Sequence, residues 1–390
     1  MSTLLTGIGE LTTNDPELGT VRDAAVVCEG ERVGWVGPAA TAPAADERVD
    51  VGGRAALPGW VDSHTHLVFD GDRTSEFAAR MAGRAYSAGG IATTVAATRS
   101  ATDERLAVNL RELVTEAMRG GTTCLETKTG YGLTVQDETR SARIAAEVVD
   151  EVTFLGAHLV PAERSVESYL ESVCGDMLDA VRPSVSWVDV FCETGAFDES
   201  QAERVLRAGQ QHGLGTRVHG NQLGYGPGVQ LAVRSESASV DHCTYLTESD
   251  VEALAGSDTV ATLLPACDLS TKQPLAPARR LLDSGATVAL ASNANPGSSY
   301  TTSMDFCVAT AVLQMGMSVT EAVWAATVGG ARALRRDDVG VVRPGARADI
   351  QVLSAPSATH LAYRPGVPLT WRVWRAGREA ATVSRVQPGQ

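Results

Sequence analysis

Leu57-Pro-Gly-Trp-Val-Asp-Ser-His-Thr-His66 is the stretch on which the fold turns. Leu57, Trp60 and Val61 give it the apolar character of a strand, and Pro58-Gly59 mark its entry. Side chains alternate faces along a strand, so residues two apart point the same way. His64 and His66 therefore project together from one strand end while Thr65 faces away. Two neutral imidazoles at that spacing can share one zinc, iron or nickel ion. A solitary His-x-His is as often a pair of ordinary histidines. Here the chain has only seven, and the rest are expected at similar strand ends.

Outward from this stretch, apolar segments alternate with helical ones. The composition predicts strands at Leu57–His66, Thr122–Lys128, Val152–His158, Trp187–Glu193, Gly215–His219, Ser239–His242, Thr259–Leu264 and Ala286–Asn293. Between them, Thr102–Arg119 keeps Leu106, Leu110, Leu113, Val114 and Ala117 on one helical face. Glu138–Val149, Ser200–Gln211 and Ser318–Leu334 repeat that pattern. Eight strands alternating with helices predict an α/β fold, a (β/α)8 TIM-like barrel with its site at the C-terminal strand ends. His64, His66, Lys128, His158, Glu193, His219, His242 and Asn293 all fall at such ends, so the barrel would bring them into one pocket.

Short strands flank the barrel. Leu4–Ile8, Ala24–Cys28, Val33–Val36 and Arg48–Val51 precede it; Asp349–Leu353 and Leu369–Ala376 follow. Chain ends often lie close in space, so both ends are expected to form one small β-sandwich domain. The limits read as 1–56 plus 340–390 for the sandwich and 57–339 for the barrel.

A net charge of −14 argues against nucleic acid or an anionic membrane as partner and leaves a small anionic substrate open. The seven cysteines are scattered without a Cys-x-x-Cys pair, which favours reduced thiols and a cytoplasmic protein. Met1-Ser-Thr-Leu-Leu lacks the basic and apolar regions of a signal peptide, and no apolar run is long enough for a membrane span.

With the strand ends laid out, the chain resembles the amidohydrolase superfamily, and within it the family that opens a five-membered imidazolone ring in histidine degradation. The likeness rests on the opening stretch, Glu126-Thr-Lys-Thr-Gly-Tyr-Gly-Leu133, Gly156-Ala-His158, Glu193-Thr-Gly-Ala-Phe197, Val218-His-Gly-Asn-Gln-Leu223, Val240-Asp-His242, Asn295-Pro-Gly-Ser-Ser299 and Pro344-Gly-Ala-Arg-Ala-Asp349. The resemblance implies one divalent metal, zinc or iron, on His64, His66 and His219, with His242 as the catalytic histidine beside it. It implies a substrate pocket of Arg73, Tyr131, His158, Asn295, Gly297 and Ser298, and a homodimer. The planar fork of Arg73 suits a substrate carboxylate; without the resemblance it would read as a solvated surface arginine. Lys128 reads equally as a pocket cation or a structural ion-pair partner.

One position departs from the family pattern. The eighth strand is expected to end in Thr-Asp, with the aspartate on the metal and handling the proton of water; here it ends in Ser292-Asn293. An amide cannot accept that proton, and general base catalysis is worth about 10²–10⁴-fold. Gln222, where some members carry glutamate, is also an amide, and it completes the catalytic candidates with His242 and Asn293. Of the remaining acids, Asp268 is nearby, Glu193 can face the pocket, and clean strand alternation turns Asp241 away from His242. The expected activity is metal-assisted opening of a five-membered cyclic amide or amidine bearing a carboxylate. The alternatives are a different step on a related ring, such as cyclodehydration, or a silent ligand-binding protein. Intact Arg73, Tyr131, His158, His242 and Asn295 favour the enzyme.

Overall fold

Apolar runs without alternation become strands buried on both faces. In the computed structural model, which describes residues 2–83 and 90–382, every residue of Thr122–Lys128 and of Trp187–Cys192 is buried. In chain order the strands are β1 (Ser2–Thr12), β2 (Thr20–Glu29), β3 (Arg32–Pro38), β4 (Glu47–Asp50), β5 (Ala55–Pro58), β6 (Trp60–Asp62), β7 (Thr122–Lys128) and β8 (Glu151–Ala157). They continue as β9 (Trp187–Cys192), β10 (Gly215–Gly220), β11 (Ser239–His242), β12 (Val260–Leu263), β13 (Val288–Leu290), β14 (Ile350–Leu353), β15 (Thr370–Arg375) and β16 (Arg378–Thr382).

Strands β6 to β13 lie side by side in sequence order, all parallel, with helices between them. The outermost two are stitched together just past their ends: Asn293 N donates to His64 O at 3.0 Å and His66 N to Ala294 O at 2.9 Å. The helices begin where cap residues stand. Thr102 accepts from Arg105 N ahead of Asp103–Arg119, and Asp198 and Ser318 form capping boxes ahead of Glu199–Gln211 and Val319–Trp324. The helix expected at Ser318–Leu334 is interrupted by a π turn at Ala325–Gly329. There its backbone presses on the barrel: a Cβ on Gly330 would lie 2.3 Å from Val61 O.

The chain ends form a second sheet, ordered β16-β15-β14-β5-β1-β2-β3, with β4 paired to β1. It has its own core, including Leu5, Ile8, Leu11, Val26, Ile350, Val352 and Trp374. The final hairpin strand β16 is absent from the sequence reading, and the outer limits of the expected sandwich, Met1 and 383–390, fall outside the described residues.

The opening stretch is not one strand. Leu57 pairs antiparallel with Gln351 in the terminal sheet, whereas Val61 pairs in parallel with Cys124 in the barrel. Pro58-Gly59 is thus the crossing between sheets rather than a strand entry. A Cβ on Gly59 would sit 2.2 Å from Thr123 Oγ1, so only glycine fits the crossing. Charge locks the same seam. Asp150 accepts from Arg347 Nη1 at 2.6 Å, Arg375 Nη2 at 3.1 Å and Leu125 N at 3.0 Å. Arg347 also reaches Asp349 and the Thr123 carbonyl. Among the described residues, no helix is long and apolar enough to cross a membrane.

Candidate active site

Five of the seven histidines gather at the C-terminal mouth of the barrel. His212 and His360, also expected at strand ends, do not: His212 caps a helix and pairs with Asp179, and His360 begins a short helix near the C-terminus. His64 and His66 leave β6, and His219 lies on β10. Their Nε2 atoms converge, 3.2 Å between His64 and His66 and 3.4 Å between His66 and His219.

Buried carboxylates set the tautomers. His64 Nδ1 donates to Asp241 Oδ2 at 2.6 Å and His219 Nδ1 to Asp189 Oδ2 at 3.0 Å. An ionised carboxylate only accepts, so each Nδ1 carries the hydrogen and each Nε2 is bare. Two bare nitrogens then face His66 Nε2, which has at most one hydrogen to offer. A tetrahedral zinc with Zn–N bonds of about 2.0–2.1 Å places ligand nitrogens about 3.3 Å apart. The donor set fits a metal ion. Burial first, and then Lys128, lowers the His64 pKa to about 3; burial and the neighbouring histidines hold His66 well below its usual range. Both are neutral at pH 7, the form that binds metal.

His242 completes the ring of imidazoles. Its centroid lies 5.4 Å from that of His219 and 5.7 Å from that of His64. His64, His219 and His242 also bring ring nitrogens within 4.8 Å of one another, an alternative donor triple. His242 Nδ1 lies 4.0 Å from the Cys267 thiol. His242 and Cys243 take φ of 84° and 54° at the end of β11. Strained backbone of this kind collects at functional sites. Here it breaks the alternation on which the sequence reading relied. Asp241 is not simply turned away; it holds His64.

Beneath the histidines is a fully buried charge network. Lys128 Nζ sits 3.0 Å from Glu126, 2.9 Å from Asp189 and 3.7 Å from Asp241, and Arg217 Nη2 lies 3.5 Å from Asp241. Burial raises the Asp241 carboxyl, but Arg217 and His64 outweigh it and hold the group well below its ordinary value. Burial likewise opposes ionisation of Asp189, and His219 with Lys128 outweighs it. Lys128 is therefore an ion-pair partner, not a pocket cation. Three carboxylates face two cations here, and a divalent ion above them would leave one positive charge uncompensated.

The inner cavity beside the histidines is ≈ 20 Å³, room for about one water. Arg73, Tyr131, His158, Gln222, His242, Asn293, Asn295 and Ser298 all line it. His158 donates from Nδ1 to Gly130 O at 2.9 Å and stacks on His66; burial lowers its pKa to about 4. Asn293 Nδ2 donates to Ser298 Oγ at 3.1 Å. Asn295 Oδ1 accepts from Gly297 N and Ser298 N, fixing the turn. Gly297 lies outside the inner cavity. Its place is against Arg73, whose Nη1 would be 2.0 Å from a Cβ there. Glu193 does not face the cavity either: it accepts from the backbone N–H groups of Gln222 and Leu223. Asp268 is tied to Thr244 Oγ1 and Ala276 N. The sequence reading passed over Asp189, although a carboxylate inside the apolar run Trp187-Val-Asp-Val-Phe191 was a usable signal.

A parallel barrel with clustered imidazoles at its C-terminal mouth is the build of a metal-dependent hydrolase. Residues 55–370 match the amidohydrolase family. A protein of Saccharopolyspora erythraea named imidazolonepropionase is 70% identical over 380 residues, covering 96% of this chain and 98% of the relative. The imidazolonepropionase of Streptomyces coelicolor is 60% identical, covering 96% and 98%. Among solved structures, a Xanthomonas campestris adenosine deaminase with bound zinc superposes with a TM-score of 0.74 at 20% identity, covering 97% of this chain and 92% of its own. Atrazine chlorohydrolase from Arthrobacter aurescens complexed with zinc gives 0.74 at 17% identity, covering 97% and 94%. The chain belongs to the amidohydrolase family, in its imidazolonepropionase branch.

Proposed function

We propose that the chain opens the ring of imidazolonepropionate by adding water across a ring C–N bond, with one zinc or iron ion held by His64, His66 and His219. The observation that carries this reading is the convergence of three Nε2 atoms, two of them freed by carboxylate-bound Nδ1–H groups. When bound, a divalent ion there makes water nucleophilic and polarises a carbonyl. The chain supplies the rest. Arg73 pairs with the propionate carboxylate, and the turn Asn295–Ser298 packs beside it. Tyr131 and His158 wall the ring against His66. His242 faces the leaving nitrogen and delivers its proton. Gln222 and Asn293 offer amide hydrogen bonds but no base, so proton handling falls to His242 alone. The protein works as a cytoplasmic homodimer; the uniformly free cysteines among the described residues accord with a reducing compartment.

The test is turnover of imidazolonepropionate with zinc or ferrous iron supplied, run beside Asn293→Asp. Turnover by the unaltered chain is expected, with kcat rising in the variant toward the about 10²-fold that a base contributes. Turnover by Asn293→Asp alone would mean that the pocket is sound but this chain has left hydrolysis for another step on a related ring or for binding. No turnover by either would overturn the reading.

A further inference from the structure

Arg73 is held in an unusual way for a residue that receives substrate. Its Nε and Nη2 donate to the two oxygens of Glu76, both at 2.8 Å, a side-on bidentate pair. The other edge of the guanidinium is covered by backbone: a Cβ on Gly297 would meet Nη1 at 2.0 Å, and one on Gly90 would meet Nη2 at 2.2 Å. The arginine side chain is 3% exposed, that of Glu76 31%. The edge a carboxylate would grip is already gripped by one, and the incumbent is the more accessible partner.

Arg73 is also a partition. Outside the mouth lies an apolar groove of ≈ 480 Å³, walled by Phe77, Met81, Leu269, Tyr300 and Phe306. Among the described residues, Arg73 alone lines both this groove and the inner cavity. The inner cavity, with room for about one water, is too small for a ring with a three-carbon tail. Glu76 belongs to the first turn of the helix Thr74–Met81, whose Phe77 and Met81 face the groove.

We infer that Glu76 stands in for the substrate carboxylate on Arg73, and that exchange of one carboxylate for the other admits substrate from the outer groove to the metal side. The inference rests on the tail-binding reading of Arg73. Its chemistry is a swap of like for like. The buried guanidinium is paired before and after, so it never meets the cost of a lone buried charge. A neutral tail offers no such replacement and leaves Arg73 on Glu76. Glu76 is therefore a specificity-determining residue that selects for an anionic tail.

The experiment compares Glu76→Gln, Glu76→Asp and Arg73→Met. Weakening the incumbent in Glu76→Gln is expected to lower KM for imidazolonepropionate by about tenfold and to narrow its advantage over the tail amide. Binding of glutarate to the purified protein, measured by calorimetry, should tighten in parallel, and Glu76→Asp should lie between. Arg73→Met should raise KM far more than it lowers kcat. If Arg73→Met raises KM while Glu76→Gln leaves it unchanged or raises it, Glu76 merely orients the arginine and the exchange is wrong. If Arg73→Met leaves KM and glutarate binding unmoved, the tail-binding reading itself fails. Should Glu76→Gln not fold, the Glu76→Asp shifts decide by the same signs.

Discussion

Lys128 beneath the histidines and Arg347 at the seam between the sheets are both cations facing several carboxylates, yet their networks end differently. Two partners of Lys128, Asp189 and Asp241, each bind a second group, the Nδ1 of His219 and of His64. The partners of Arg347 close on the fold: Asp150 accepts from Leu125 N and from Arg375, Asp349 accepts from Ala376 N, and both arginines reach the Thr123 carbonyl. One network passes its charge on to the candidate ligands His64 and His219; the other closes on the fold. The second partner of a buried carboxylate thus tells a functional network from a structural one, which burial and charge alone do not.

Breaking the first network at its terminus gives the largest effect. In His64→Ala, metal content measured by atomic absorption should fall to background and turnover should vanish; stoichiometric metal would undo the site assignment. One step back, Asp241→Ala should keep the metal but weaken it about 10–100-fold in chelator competition, as expected when the group orienting a ligand is lost. Arg347→Ala tests the other side of the comparison. It should lower unfolding stability by about 3 kcal/mol in urea melts and leave metal affinity unchanged. A shift in metal binding there would mean that the two networks are one. The smallest effect belongs to Trp60, whose Nε1 donates to Asp305 at 3.1 Å just after the crossing. Trp60→Phe should cost about 1 kcal/mol with no change in KM.

The sequence was most readable where chemistry coincides with a local pattern. Apolar runs ending in His64, His158, His219 and His242 located the barrel strands and the mouth together, because in this fold a strand end is a pocket wall. What escaped depends on partners far away in the chain. Asp241 bonds a histidine 177 residues earlier, and its orientation was misjudged because strand alternation fails at the positive φ of His242. The Glu76 pair is local, but nothing in an Arg-x-x-Glu spacing separates a solvated helix-surface ion pair from one whose arginine is buried. Pro58-Gly59 was read as the entry of a single strand, because which sheet lay on either side was fixed by the distant Gln351 and Cys124. The position of Asn293 at the mouth was legible, whereas its bond to Ser298 needed the folded turn.

The crossing at Gly59 also has a consequence in time. Pro58 shares a hydrogen bond with Gln351, 293 residues later in the chain. A ribosome adding about 5–20 residues per second leaves this segment without its sheet partner for roughly 15–60 s. The histidine pair follows directly on that segment, which lacks this anchor until Gln351 emerges. The histidine pair is thus made long before the sheet that fixes the segment in front of it is complete.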